Sequence, residues 1–173
     1  SNAPHIFTEM RSGNKLGHTK VFDSLIHDGL WDAYTNQHMG NCAEMLANDR
    51  GYSRQKQDEY AIESYARAIK SIKEKIFKSE IIPVSIKTKG IELEMLKNDQ
   101  EPRNLVYDKV PKLRPVFEPA GTITAANSSK LSDGASVSLI SSMSKAEQLG
   151  IKPVARIIAH ASVSHEPEWF TTA

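Results

Sequence analysis

Cys42 is the one thiol in 173 residues, which makes it the first candidate nucleophile. A nucleophilic cysteine needs a lowered pKa, from a helix N-terminus or a nearby base, and access to substrate. Cys42 falls near the start of an expected helix, with His38 four residues before it. Yet Met39, Ala43 and Leu46 recur around it at helical spacing, and a free cysteine in such a stripe packs as a small apolar residue. Packing is the preferred reading. His38 reads as a ligand contact or a cap of the following helix rather than as a base. A single cysteine excludes an internal disulfide and a multi-cysteine zinc site. The six histidines, His5, His18, His27, His38, His160 and His165, show no HExxH pair or other close ligand spacing.

Two other groups could bind a ligand. Arg103, Lys109, Lys112 and Arg114 form a loose basic cluster that could hold phosphates, or could be ordinary solvated surface. The run Gly121-Thr122-Ile123-Thr124-Ala125-Ala126-Asn127-Ser128-Ser129 is small and polar, as is Ser132-Asp133-Gly134-Ala135. Small residues let a backbone approach a ligand or another chain segment closely. Thr122, Thr124 and the serines after them have no His/Asp partner at a recognisable spacing, so no hydrolase triad is supported.

Composition narrows the class. Lys plus Arg number 22 and Asp plus Glu 21, a net charge of +1, which argues against nucleic acid or an anionic membrane as partner. Charged residues are 25 % and apolar ones 39 %, with a mean hydropathy of −0.43; the chain is foldable but slightly lean in apolar surface. No run approaches the roughly 18 apolar residues of a membrane span. Ser1-Asn2-Ala3 reads as an expression scar and is set aside.

The elements that must position these residues follow from periodicity and punctuation. Pro4 to Phe22 reads as loop, with a turn at Arg11-Ser12-Gly13-Asn14-Lys15-Leu16-Gly17. Asp23 should cap a short helix over Ser24–His27, followed by an apolar knot of Leu30, Trp31 and Tyr34. Met39, Cys42, Ala43 and Leu46 predict a helix over about 40–47. Ser53 should cap the longest helix, running to about Phe77 with the stripe Ala61, Tyr65, Ile69, Ile72 and Ile76. Glu80–Lys87 reads as an edge strand because Pro83 cannot donate to a ladder. Glu92–Asp108 reads as irregular loop and Lys109–Phe117 as extended. A short buried strand is expected at Val137 and Leu139, then a helix with a Ser144/Glu147 capping box, then a strand over Val154–Ala161. Strand, helix, strand in so short a span suggests part of an α/β layer.

The order of motifs adds a family resemblance. Asp28-Gly29-Leu30, His38-Met39-Gly40 with Ala43-Glu44, Ser53-Arg54, Gln57-Asp58, Ser64-Tyr65 and Glu80-Ile81-Ile82-Pro83-Val84 come first. Lys112-Leu113-Arg114-Pro115-Val116-Phe117, Gly121 to Asn127, Asp133-Gly134-Ala135 and Ala155-Arg156-Ile157 complete the series. In this order they resemble the middle of thiolases over essentially the whole chain after the scar. Lys109-Val110-Pro111-Lys112-Leu113 and the pair Ala125-Ala126 resemble the mitochondrial-type, biosynthetic acetyl-CoA acetyltransferases in particular.

The resemblance implies an α/β, thiolase-like fold: a largely helical loop domain over 4–130, the end of the N-terminal domain over 131–150, and the start of the C-terminal domain over 151–173. It implies the central part of an enzyme that condenses two acetyl-CoA into acetoacetyl-CoA and CoA. The family's nucleophilic cysteine would lie upstream. The Asn-Glu-Ala-Phe, Gly-His-Pro and Cys-x-Gly-Gly-Gly motifs would lie downstream, so the chain alone should be inactive and no residue in it is assigned to catalysis. Leu30, His38, Met39, Phe117, Ala125 and Ser129 fall on positions resembling pantetheine and acyl contacts. Arg103 and Lys109 match the segment that meets the nucleotide end. Tyr65, Ala125, Ala126 and Ser128 resemble a potassium shell, with Ser128 in place of the usual alanine. The turn at Arg11–Gly17 resembles the loop that pairs thiolase dimers into a homotetramer. The compartment stays open between mitochondrion and cytoplasm. Two alternatives remain: a thiolase-like acyl-CoA or lipid-binding protein without the chemistry, and a free-standing helical interaction module.

Overall fold

The computed structural model describes residues 2–8, 10–88 and 91–173, so Ser1 of the scar lies outside the described residues. The N-terminal stretch is not simply loop. His5–Phe7 (β1) and Val21–Asp23 (β2) pair antiparallel, Ile6 opposite Phe22, and the glycine-bearing turn projects from their far end. Isolated three-residue strands leave no periodic trace in the sequence; their pairing is set by the closure of the intervening loop. Gly13 and Gly17 hold φ of 75° and 109°, a region that favours glycine, and Asn14 Nδ2 braces the loop by donating to Thr19 Oγ1 at 2.8 Å.

Asp23 caps the helix Ser24–Gly29 (α1), its carboxylate accepting from Leu25 N at 2.9 Å. The apolar knot is a hairpin: Trp31–Asp32 (β3) pairs with Gln37–His38 (β4), and Tyr34 points away into solvent. Asp32 organises its turn, accepting from Tyr34 N and from the Thr35 hydroxyl.

The helix Met39–Arg50 (α2) begins at His38 and stops at Gly51, left-handed at φ 64°, three residues beyond the expected end. Ser53 caps the helix Arg54–Lys73 (α3), accepting from Lys56 N at 3.3 Å. This helix stops short of Phe77; Lys75 at φ 57° breaks it, and Ile76 is exposed. Val84–Thr88 (β5) and Ile91–Leu96 (β6) form an antiparallel hairpin. The expected strand is therefore shorter than Glu80–Lys87, and part of the expected loop Glu92–Asp108 is its partner. Pro102 and Pro111 lie in short 3-10 turns, Glu101–Arg103 and Tyr107–Lys112, so Lys109–Lys112 is coiled rather than extended.

The core is small and lies where α2, the first half of α3, the 107–112 turn and residues 121–127 meet. Cys42, Ala47, Ala61, Val110, Ile123 and Ala126 are its buried apolar side chains. Alongside them lie buried Glu44, Asp58 and Thr124. The final turn, Pro167–Thr172, returns to pack on α2.

Beyond residue 130 the expectations change most. Ser142, not Ser144, caps the helix Met143–Gln148 (α4), accepting from Lys145 N at 3.2 Å. Neither flanking segment is a strand: Val137 is 98 % exposed, and Val154 to Ala161 is exposed throughout. A strand needs a neighbour to take its backbone hydrogen bonds, and none is paired with either segment among the described residues. Among the described residues, no helix is long and apolar enough to cross a membrane.

Candidate functional site

The sequence leads into α2 through an extended residue with a ring that can accept a hydrogen bond. His38 Nδ1 accepts from Gly40 N at 2.9 Å, which makes His38 the helix cap and fixes its ring. That ring lies against Phe117, centroids 4.8 Å apart, and edge-on to Trp31 at 6.5 Å. Met39 N donates to Leu30 O at 2.9 Å. Leu30, His38, Met39 and Phe117 are thus brought into one half-buried cluster. Gly40 makes the approach feasible, because a Cβ there would meet the Phe117 ring at 2.3 Å.

Phe117 is followed by a segment anchored by a buried carboxylate. Glu44, 1 % exposed, accepts from Thr122 N at 2.8 Å, from Thr122 Oγ1 at 2.9 Å and from Ile123 N at 2.7 Å. Gly121 passes so close to Glu44 that a Cβ would meet its Oε1 at 2.3 Å. Asn127 then locks the small-residue run. Its Nδ2 donates to Asp58 Oδ1 at 2.9 Å and to Thr122 O at 3.1 Å, while its Oδ1 accepts from Thr124 N at 2.7 Å. Asp58 accepts in turn from Arg54 Nε at 2.7 Å, and Arg54 Nη2 donates to Val110 O at 2.9 Å. One polar chain therefore ties the 107–112 turn, α3, α2 and the 121–127 segment together. Every buried side-chain polar atom in it has a partner, so it rigidifies the loop rather than destabilising the core.

Ala125 and Ser129 are exposed on that fixed run, while Ala126 is buried and Ser128 is half-buried with its N–H on Thr124 O at 3.1 Å. The Ala125 carbonyl accepts from the Lys130 ammonium. Tyr65 on α3 donates to Glu101 Oε1 at 2.7 Å, and Lys130 Nζ lies 3.5 Å from the same oxygen. Burial and then the Glu101 carboxylate push the Tyr65 hydroxyl up to about 12. The Tyr65 hydrogen bond, with those of Asn104 and the Lys130 charge, holds Glu101 below its ordinary range. Tyr65 and Ala125 are thus linked through Glu101 and Lys130.

Arg103 and Lys109 lie on the two 3-10 turns, both exposed, and neither side chain is ion-paired among the described residues. Beside Tyr107 of the second turn lies a shallow recess of about 360 Å³ that Lys70 and Lys73 also line. Cys42 is fully buried. Burial, reinforced by the Asp32 charge, pushes its thiol above the ordinary value, the opposite of what a nucleophile needs. No group of His, Cys, Asp and Glu among the described residues could hold a metal ion.

Sequence reasoning gave no role to Glu44, Asn127, Glu101 or Lys130. The usable signal was the spacing of Arg54 and Asp58, an ion pair one turn apart at the start of α3. Nothing local marked the partners from distant segments.

A family model described as thiolase, N-terminal domain, matches residues 1–144. The chain belongs to the thiolase family. It is 42 % identical to a probable acetyl-CoA acetyltransferase of Dictyostelium discoideum over 173 residues, 100 % of this chain and 42 % of that protein. It is 41 % identical over 174 residues to the mitochondrial acetyl-CoA acetyltransferase of Mus musculus, 100 % of this chain and 41 % of the relative. The thiolase chain therefore spans about two fifths of the length of the curated relatives it matches. Its backbone superposes on the acetyl-CoA acetyltransferase of Bacillus anthracis with a TM-score of 0.90 at 31 % identity, covering 96 % of this chain and 42 % of that one. The Acat5 thiolase of Ascaris suum, solved in complex with coenzyme A, gives 0.86 at 36 % identity, covering 99 % and 43 %. The motif order from Asp28-Gly29-Leu30 to Ala155-Arg156-Ile157 is thus a family relationship, and the fold is a thiolase-like piece of mixed helices and small strands.

Proposed function

We propose that this thiolase chain supplies the coenzyme A and acyl-pocket side of an acetyl-CoA C-acetyltransferase, which joins two acetyl-CoA into acetoacetyl-CoA and CoA or runs the reverse thiolysis. The observation that carries the reading is 42 % identity along the entire chain to the acetyl-CoA acetyltransferase of Schizosaccharomyces pombe. The coenzyme A complex of the Ascaris relative, which matches along 99 % of this chain, supports the ligand.

The chain's own residues bind and position rather than transfer protons. Ala125 and Ser129 would lie along the pantetheine arm, on a run that Glu44 and Asn127 hold rigid. The cluster of Leu30, His38, Met39 and Phe117 would wall the acyl end with half-buried, largely apolar surface. Lys109 and Arg103, both exposed and without an ion-pair partner among the described residues, would face the phosphates of the nucleotide. The acyl-carrying and proton-abstracting cysteines belong, in this reading, to parts of a longer protein outside the chain. Two oxyanion holes would hold the thioester oxygens there. Cys42, buried and pushed towards the protonated thiol, fills neither role.

The domain assignment follows the same reading, with a loop domain over 4–130, the end of the N-terminal domain over 131–150 and the start of the C-terminal domain over 151–173. The exposed Val137–Ile140 and Val154–Ala161 would then be strands of an α/β sheet whose neighbours come from elsewhere in the protein. The superposition on the Bacillus enzyme over 96 % of the chain supports that path. The 11–17 turn, with Leu16 almost wholly exposed, would join dimers into a homotetramer.

The test is an assay of the protein that carries this chain together with its flanking sequence. Coenzyme A-dependent cleavage of acetoacetyl-CoA is the expected result. Tight acyl-CoA binding with no turnover would replace this reading with that of a non-catalytic binding protein.

A further inference from the structure

Lys130 closes a small polar cluster built from three parts of the chain. Its ammonium donates to the Ala125 carbonyl and lies 3.5 Å from Glu101 Oε1. That oxygen also accepts from Tyr65 on α3 at 2.7 Å, and the other Glu101 oxygen accepts from Asn104 Nδ2 at 3.1 Å. About two thirds of the Lys130 and Glu101 side chains is shielded, at 32 % and 36 % exposure. A cation therefore already sits on the Ala125 carbonyl, with the Glu101 carboxylate between it and the Tyr65 hydroxyl. A monovalent metal seated on the same carbonyl would be placed beside the ammonium, and like charges in a half-shielded site repel. The residues present thus do not fit a potassium ion as well as Lys130.

We propose that the Lys130 ammonium is a tethered cation that takes the place of a monovalent metal at this cluster, holding the 124–129 run against Glu101 and Tyr65. Lys130 is then a positioning residue, acting on any ligand of Ala125 or Ser129 only through the loop. The proposal does not depend on the acyl-transfer reading, because its test reads cation response rather than turnover.

The experiment compares thermal unfolding of the unmutated protein, Lys130→Ala and Lys130→Met in potassium, lithium and choline chloride at equal ionic strength. The unmutated protein should unfold at the same temperature in all three salts. Both variants should lose about 2 °C or more in choline chloride, and potassium should restore the loss saturably while lithium and choline should not. Lys130→Arg should keep the indifference of the parent. A saturable potassium response in the unmutated protein would overturn the proposal, because the metal would bind with Lys130 in place. Variants that lose stability yet do not distinguish potassium from choline, or that lose none, would also overturn it. If neither variant folds, the salt response of the unmutated protein decides alone.

Discussion

The imidazole of His38 lies against the ring of Phe117, with centroids 4.8 Å apart and planes tilted by 32°. His38 is held by its hydrogen bond to Gly40 N, and Phe117 is held because Gly40 leaves room for it. Gly40→Ala should therefore displace Phe117, since the added Cβ would meet the ring at 2.3 Å. Overpacking of this kind costs about 1–3 kcal/mol. Chemical denaturation should read that loss, whereas Gly29→Ala, where a Cβ meets nothing within 4 Å, should cost much less.

Glu44 gives a sharper prediction. Its carboxylate takes three donors from Thr122 and Ile123 in a site that excludes water. Glu44→Gln keeps the shape but turns one acceptor into a donor facing a donor. A buried group left unsatisfied costs about 1–3 kcal/mol, so unfolding should shift by that amount. Amide exchange at Thr122 and Ile123 should quicken in step, while amides in the β5–β6 hairpin keep their parent rates.

Cys42 should not be needed for turnover. In the protein with its flanking sequence, Cys42→Ala is expected to keep activity within a few-fold and to lose about 1 kcal/mol of stability as a small core truncation. A thousandfold fall in turnover with the fold intact would contradict this. Alkylation of Cys42 in the folded chain should proceed only as fast as the chain opens.

The same thiol sets a pH dependence. Its folded value is raised, so the stability it contributes is complete below the ordinary thiol value of about 8.5 and is lost as pH rises through the folded value. Asp32 acts at the other end. Its carboxyl is lowered chiefly by the Thr35 hydroxyl, so its contribution is present above the ordinary carboxyl value of about 3.9 and fades as pH falls. Cys42→Ala should flatten the alkaline limb of a stability–pH curve and leave the acid limb unchanged.

What the sequence disclosed follows from the range of the forces involved. Asp23, Ser53 and the stripe through Ala61 and Tyr65 are local signals, and the helices they announce are present. The His38 cap was legible too, because donor Gly40 N and acceptor His38 Nδ1 are near neighbours in the chain. The partnership of Glu44 with Thr122 was not legible, since it depends on how α2 meets a distant segment. Val137 and Val154 failed for a related reason: β-branched runs state a preference, but a strand forms only against a neighbour. Arg103 and Lys109 could be marked as basic, but the 3-10 turns that carry them, rather than extended chain, were not legible.

Lys109 tests the nucleotide end. Lys109→Ala in the longer protein should raise the KM for coenzyme A with little change in kcat, because a phosphate contact exists in ground and transition states alike. The loss is about 1.5–3 kcal/mol for a well-made charged hydrogen bond and less for an exposed one. An acyl-pantetheine lacking the nucleotide should show no such change. Equal losses on both substrates would place the effect of Lys109 in folding or in the acyl pocket.

The most direct measurement is the structure of the longer protein with coenzyme A bound. The expected result has the pantetheine arm in contact with Ala125 and Ser129, its thiol end towards His38 and Phe117, and the phosphates towards Lys109 or Arg103. Coenzyme A bound on another face, with the 124–129 run and the His38–Phe117 cluster untouched, would contradict the account.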